Sequence, residues 1–468
     1  MTTSILNPNF QQTTLQNFIS DFPEYMDEIF VEFEEDYADK FFSKEFKTEI
    51  AKLNQDKSVF QYSPLTFYFA KQMEDALFIA HLHFEAQDDE DAEIEIFDFW
   101  KDSDFGEIFL ERNQRDGGEN ILETSLSFRP LLENQVLSFY YLHISSKPEL
   151  QPDILDYYIQ SNLGDSKDRI YLTDSHYSVN QKDLFDGGVL EVNCLTNMRT
   201  SLEAQSDNDI KAYVINKEPN SLTVDGRVLF INSPVELDDK IDAFKTNVER
   251  ALANIKKASP ELFECFFTFT HTLVPVADTG IVSFSSQFLP GYSSLNIVDR
   301  DYIELHDDLL HENGHHFLNA ILNTTELIEE DDEQIFYSPW RKVRRPIRGI
   351  YHAYFTFFWA FQLFYDLTNA INENIELDGI SKSDLSRCAL RALEEFTMLN
   401  YSFEDLKAAK EMGKITDEGF EVISLVEENL NSAAGKVDSF KEFLSVDDKK
   451  KLSDLESELK NQLSLNSY

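Results

Sequence analysis

Cysteine, basic residues and long apolar runs are all scarce in this sequence. Its 468 residues include only three cysteines, Cys194, Cys265 and Cys388, and no two of them are closely spaced. This sparse set excludes a disulfide framework and a cysteine-based metal site, and it is typical of a reducing compartment. The most apolar stretch, 351–367, is too short to span a bilayer and contains histidine, glutamine and aspartate. We therefore expect no membrane-spanning helix.

Basic residues are outnumbered two to one. The chain has 41 lysines and arginines against 86 acidic residues, a formal net charge of −45. Such a surface repels nucleic-acid phosphates and anionic lipids, so neither nucleic acid nor membrane is an expected partner. The first residues lack the basic head and apolar core of a secretory signal, and a cytoplasmic location is expected. We find no internal repeat and no glycine-rich phosphate loop.

Aromatic residues are abundant, with 40 Phe and 19 Tyr, and 42% of all residues are hydrophobic. This composition predicts a globular protein of two or three packed units. Apolar periodicity predicts helices over much of 10–80, at 238–255, 301–323 and 346–371, and after Asp384. Alternating patterns predict strands at 92–97, 136–141, 221–224 and 228–231, with Asp225-Gly226 parting the last two, a linker at 161–168 and a loop-rich section at 274–296.

The segment His311–His315 reads HENGH. Histidines four residues apart lie on one face of a helix, which is the arrangement that two neighbouring ligands of a first-row metal need. Gly314, between them, would permit close packing of a neighbouring element. Two further histidines of this helix, His306 and His316, are interpreted as incidental surface residues.

The predicted helix at 346–371 is apolar almost all round, as expected of an interior helix. One polar line nevertheless follows it, formed by Arg345, Arg348, His352 and Thr356. Buried arginines at a helix N-terminus need an anionic partner. The partner could be the acidic run at 329–333. Alternatively, the arginines could hold a dicarboxylate ligand while His352 supplies a third metal ligand, and the residues alone leave both interpretations open.

Several short motifs around these residues occur in an ordered series. They are Val274-Pro275, Ser283–Ser286, Pro290-Gly291, the histidine segment 311–316, Tyr337–Arg341, Arg345-Pro346 and Arg348–His352. This series resembles the HExxH-type 2-oxoglutarate-dependent peptide β-hydroxylases of pathways that modify ribosomally made peptides. The resemblance covers residues 250–365, about a quarter of the chain. Two positions depart from the family pattern: Lys342–Arg344 replace an acidic residue, and Ala353 replaces a glycine.

The resemblance implies Fe(II), 2-oxoglutarate and O₂ acting on a side-chain β-carbon of a ribosomally synthesised precursor peptide. It also implies that His311 and His315 bind iron and that His352 is the third ligand. Arg345 or Arg348 would hold the far carboxylate of 2-oxoglutarate. Glu312 would orient a ligand or a water molecule.

Two other functions fit the same residues. In a zinc peptidase, His311 and His315 would bind zinc, Glu312 would activate water, and the third ligand would be Glu329, Glu330 or Glu333. In a protein that is not an enzyme, a vestigial metal site would accompany peptide binding. The intact arginine line favours the hydroxylase over both, because hydrolysis needs no cationic pair beside the metal.

The predicted fold is therefore α+β and predominantly helical. Its catalytic part would carry a zincin-like HExxH helix packed on a second, buried aromatic helix. We divide the chain into an N-terminal region of helices and strands at 1–165, a strand-rich connection at 166–240, a metal-binding catalytic domain at 241–400 and a helical C-terminal region at 401–468. The region 1–165 is a candidate peptide-binding region that would add the peptide to a sheet edge.

Overall fold

The computed structural model describes residues 4–32, 67, 220–231, 237, 240–277, 279–280, 282–285, 287, 290–329 and 333–465. Of the residues that can be interpreted, 68% are helical, and they are accompanied by a small sheet. The prediction of a predominantly helical protein is therefore confirmed. The predicted strands at 92–97 and 136–141 and the linker at 161–168 lie outside the described residues.

The helices match the apolar periodicity of the sequence. Within the described ranges they are α1 (Pro8–Glu32), α2 (Ile241–Ala258), α3 (Pro260–Phe269), α4 (Tyr302–Leu322), α5 (Ile347–Asn372), α6 (Leu385–Glu411), α7 (Asp417–Ser439) and α8 (Val446–Leu465). The helices predicted at 301–323 and 346–371 are α4 and α5, and the predicted helical tail is α6 to α8. Among the described residues, no helix combines the length and the apolar character needed to cross a membrane.

One mixed sheet has the order β1-β2-β3-β5-β4. Its strands are β1 (Asn220–Val224), β2 (Arg227–Ile231), β3 (Thr272–Val276), β4 (Phe284–Ser285) and β5 (Tyr292–Asn296). The predicted turn between β1 and β2 is confirmed, since Asp225 and Gly226 both have positive φ, as the tightest hairpins require. Ten residues of the section predicted to be loop-rich, 274–296, belong to β3, β4 and β5, and β5 pairs with both other strands. Short strands of this kind carry little apolar periodicity.

A second hairpin and the packing of α4 on α5 complete the scaffold of the site. The hairpin pairs β6 (Phe336–Ser338) with β7 (Val343–Arg345) immediately before α5. At Gly314 of α4, a Cβ atom would stand 2.3 Å from Cδ1 of Trp359 in α5. The expected close approach at Gly314 is thus confirmed. Helix α1 also packs on α4, with the rings of Phe10 and Phe317 6.0 Å apart.

Candidate active site

Helix α4 places the two histidines of the HENGH segment side by side. The helix begins with a capping box, in which the Asp301 side chain accepts hydrogen bonds from the first turn and the Glu304 carboxylate accepts one from the Asp301 backbone N–H. Three turns later, the rings of His311 and His315 have centroids 5.0 Å apart and planes at 82°. Two imidazoles on one first-row metal ion have centroids about 5 Å apart, given metal–nitrogen bonds of about 2 Å. The pair therefore stands in a geometry suited to metal binding.

His352 of α5 lies beside this pair. Its ring centroid is 6.4 Å from that of His315, roughly 1–2 Å more than a shared metal ion would require. Accordingly, no three His, Cys, Asp or Glu side chains within the described ranges are arranged to hold a metal ion as they stand. A third ligand from His352 would need a small approach of its side chain toward α4.

All three imidazoles are uncharged at neutral pH. Burial lowers the pKa of His311 to about 4. Burial also lowers the pKa of His315 well below its usual value, and the neighbouring His311 and His352 lower the pKa of His315 further. The pKa of His352 falls to about 4, through burial and through the charges of Arg348 and Arg345. Its Nε2 atom is buried without a hydrogen-bond partner. Neutral rings with a spare lone pair are the form that binds divalent metals, so this donor set fits such an ion.

Most of the predicted site residues line one cavity of about 1240 Å³. His311, His315 and His352 line it together with Arg345 and Arg348. Five of the six predicted site residues thus meet at one surface. Arg341, which the sequence analysis named only as part of a motif, lines the same cavity.

The two arginines are less buried than the helical pattern predicted. Arg348 is exposed and Arg345 is half-buried. The correction has a simple cause: α5 begins only at Ile347, and its N-terminal end opens onto the cavity rather than into the core. Arg345 belongs to β7 and packs over Gly349, where an added Cβ atom would stand 3.0 Å from its Nε.

Neither arginine is paired with the acidic run at 329–333 as far as that run is described. Glu333 binds Lys414 at 3.0 Å, and Glu329 lines the cavity without an ion pair. Among the described residues, no carboxylate forms an ion pair with Arg345 or Arg348. An anionic ligand would therefore meet guanidinium groups that are already available.

Glu312, the sixth predicted site residue, is set apart from the cavity. It is 3% exposed, is not one of the cavity-lining residues, and has one carboxyl oxygen without a hydrogen-bond partner. Burial raises the pKa of Glu312 to about 8, while the neighbouring Ser285 hydroxyl acts in the opposite direction. Burial thus favours the protonated form of this carboxyl group, which is a poor state for a general base.

His306 and His316 were expected to be surface residues, and that prediction is wrong. Both are buried. His306 contacts the Tyr302 carbonyl at 2.8 Å and the Asn254 amide at 3.3 Å. His316 accepts the Gly291 N–H at 3.2 Å and contacts the Ser293 hydroxyl at 3.1 Å. Their ring nitrogens are used to join α4 to α2 and to the sheet.

A chain of packed and hydrogen-bonded side chains that no sequence pattern predicted surrounds His311. Phe357 contacts the His311 ring at 4.6 Å and stacks on Trp340, also at 4.6 Å. Trp340 donates to Glu395 at 2.7 Å. Arg391 binds Glu395 at 2.9 Å and Asp307 at 3.0 Å, and Asp307 lies one turn before His311. These residues are far apart in sequence, and only the aromatic motif residue Trp340 carried a signal.

Comparison with protein-family models and with curated proteins finds no match to this chain. The function is therefore inferred from the motif series and from the geometry of the cavity.

Proposed function

We propose that the chain is an Fe(II)- and 2-oxoglutarate-dependent dioxygenase that hydroxylates a side-chain β-carbon of a ribosomally synthesised precursor peptide. The observation that carries the proposal is one cavity lined by three neutral histidines and by two arginines without carboxylate partners among the described residues. The motif series that includes these residues points to the same chemistry. The free, buried thiols of Cys265 and Cys388 suit a cytoplasmic setting.

In this proposal, His311 and His315 hold the iron from one face of α4, and His352 approaches from α5 as the third ligand. The packing of α4 on α5 at Gly314 would then serve as a zincin-like scaffold, rigid because Trp359 fills the space above the glycine. Bound iron with 2-oxoglutarate supplies the oxidising chemistry for a C–H bond. The reaction consumes the peptide C–H, 2-oxoglutarate and O₂, and it yields the peptide C–OH, succinate and CO₂.

Arg345 and Arg348 would hold the far carboxylate of 2-oxoglutarate. A planar guanidinium pairs with a carboxylate through two parallel hydrogen bonds, which orients the ligand as well as attracting it. Small-ligand pockets are usually about 300–1,000 Å³. The cavity here, at about 1240 Å³, leaves room for a peptide segment beside the co-substrate.

A zinc peptidase fits these observations less well. Its general base would be Glu312, but that side chain is buried, its burial favours the uncharged form, and it is absent from the cavity lining. Its third ligand would be Glu329, Glu330 or Glu333, of which Glu333 is already paired with Lys414 at 3.0 Å and Glu330 lies outside the described residues. The peptidase remains the alternative that the first experiment must separate from the hydroxylase.

That experiment measures succinate. The protein is loaded with Fe(II) anaerobically and then exposed to air with 2-oxoglutarate, with and without candidate precursor peptides. The masses of the peptides are measured by mass spectrometry. We expect peptide-stimulated succinate and a peptide heavier by one oxygen atom. Peptide cleavage with zinc and no succinate would assign the chain to the peptidases. Peptide binding without either product would support the non-enzymatic alternative.

A further inference from the structure

We infer that Arg341 is the docking point for an acidic side chain of the peptide substrate. The inference rests on the proposed function, because it concerns the peptide that enters the same cavity. It adds a preference that the chemistry of the iron site does not determine: the substrate carries Asp or Glu close to the residue that is modified.

The first support is the local charge. Five of the 41 basic residues fall within 341–348, in a chain whose net charge is −45. Two of the five face other groups: Lys342 binds Glu458 at 3.4 Å, and Arg344 donates to the Ile335 carbonyl. The remaining three, Arg341, Arg345 and Arg348, line the cavity. None of these three has an ion-pair partner among the described residues.

The second support is position. Arg341 follows Trp340, whose ring stacks on Phe357, and Phe357 in turn contacts the His311 ring at 4.6 Å. Arg345 and Arg348 lie close to His352, the candidate ligand on α5, and their charges lower its pKa. A dicarboxylate bound to the metal and to Arg345 or Arg348 would occupy the His352 end. Arg341, at the His311 end, would remain available to a second anion.

The third support concerns the other charged residues of the lining. The acidic ones are Glu326 and Glu329, and both belong to the segment that follows α4. They would repel a carboxylate, whereas Arg341 would attract it. Arg341 is exposed, so its guanidinium can pair with an incoming side chain without first breaking an internal contact.

The test is a binding selection that needs neither iron nor turnover. A randomised peptide library, displayed so that no peptide has a free C-terminal carboxylate, is selected on wild-type protein and on the variants Arg341→Gln, Arg341→Glu and Lys342→Gln, with 2-oxoglutarate in excess to compete for Arg345 and Arg348. The Lys342→Gln control removes the same charge from the adjacent residue, which does not line the cavity. We expect Asp or Glu enrichment with wild type and with Lys342→Gln. This enrichment should be lost with Arg341→Gln and replaced by Lys or Arg enrichment with Arg341→Glu.

One selected peptide then serves for a double-mutant cycle by fluorescence anisotropy. Arg341→Gln and the Glu→Gln change in the peptide should each weaken binding about tenfold, and the two together should weaken it no further. Acidic enrichment that persists in Arg341→Gln, additive losses, or a library without binders would each overturn the inference. Because the readout is binding alone, an acidic preference without succinate would refute the hydroxylase while leaving the docking point intact.

Discussion

Helix α4 carries four histidines, and they divide into two pairs that differ in what their ring nitrogens do. His306 and His316 are buried, and each uses both ring nitrogens: His306 contacts Tyr302 of α4 itself and Asn254 of α2, and His316 contacts Gly291 and Ser293. His311 and His315 face the cavity, and their ring nitrogens form no hydrogen bond with the described residues. Residue type and even the helix are the same in both pairs. The candidate metal ligands are therefore recognised by unused bonding capacity, which depends on what surrounds each ring.

The largest expected difference between the two histidine pairs is in metal affinity. His311→Ala should reduce Fe(II) affinity by on the order of 100-fold or more and abolish peptide-stimulated succinate, because a ligand is lost. Anaerobic equilibrium dialysis measures the affinity. His306→Ala is the control on the same helix and should retain iron at full stoichiometry while lowering stability. Equal iron loss in both variants would mean that the two pairs do not differ as proposed.

The arginines extend the comparison to the co-substrate. Arg345→Gln or Arg348→Gln should raise the KM for 2-oxoglutarate roughly 10- to 100-fold, since a charge-assisted bidentate contact contributes about 1.5–3 kcal/mol. The effect on kcat should be smaller. Lys342 binds Glu458 outside the cavity, so Lys342→Gln should leave this KM unchanged. If both arginine variants keep the wild-type KM, the assignment of the co-substrate fails.

The contribution of the buried His306 to stability can be tested through its dependence on pH. Burial lowers the pKa of His306 to about 4, although the Tyr302 carbonyl and Asp301 act in the opposite direction. Because the unfolded value is 6.5, the unfolded chain takes up this proton first as the pH falls. The stability due to a neutral His306 is therefore present above about pH 6.5 and is lost between pH 6.5 and pH 4.

His306→Asn should remove that dependence. The difference in unfolding free energy between wild type and variant should shrink by roughly 3 kcal/mol from pH 7 to pH 4. Urea unfolding at several pH values measures it, and using the difference cancels carboxyl groups common to both proteins. A difference that does not change with pH would indicate that His306 is already charged or solvated in the folded protein.

The smallest effect is expected where α4 meets α5. Gly314→Ala would place a methyl group 2.3 Å from Cδ1 of Trp359, so the helices must shift, at a cost of about 1–2 kcal/mol. Iron affinity should fall as well, because Gly314 adjoins His315. Gly435 in α7 has no atom within 4 Å of an added Cβ, so Gly435→Ala should instead stabilise the protein slightly. Urea unfolding of both variants measures the contrast.

The sequence by itself determined the local features of this protein. The spacing of four residues puts His311 and His315 on one face, because helix geometry is local. Apolar periodicity predicted α4 and α5, and Asp225-Gly226 predicted the β1–β2 turn. The motif series located Arg345, Arg348 and His352, which the structure brings to the cavity that His311 and His315 line.

Only the tertiary structure decided which polar groups remain unsatisfied. The ring nitrogens of His316 form hydrogen bonds with Gly291 and Ser293. One ring nitrogen of His306 contacts Asn254, which is 52 residues away. The arginines are more exposed than the periodicity of α5 predicted, because the helix end opens onto a cavity formed by several elements. Glu395 is connected to the site through Trp340, 55 residues earlier, and through Arg391 and Asp307. Burial and bonding depend on contacts between distant segments, and a local pattern contains no record of them.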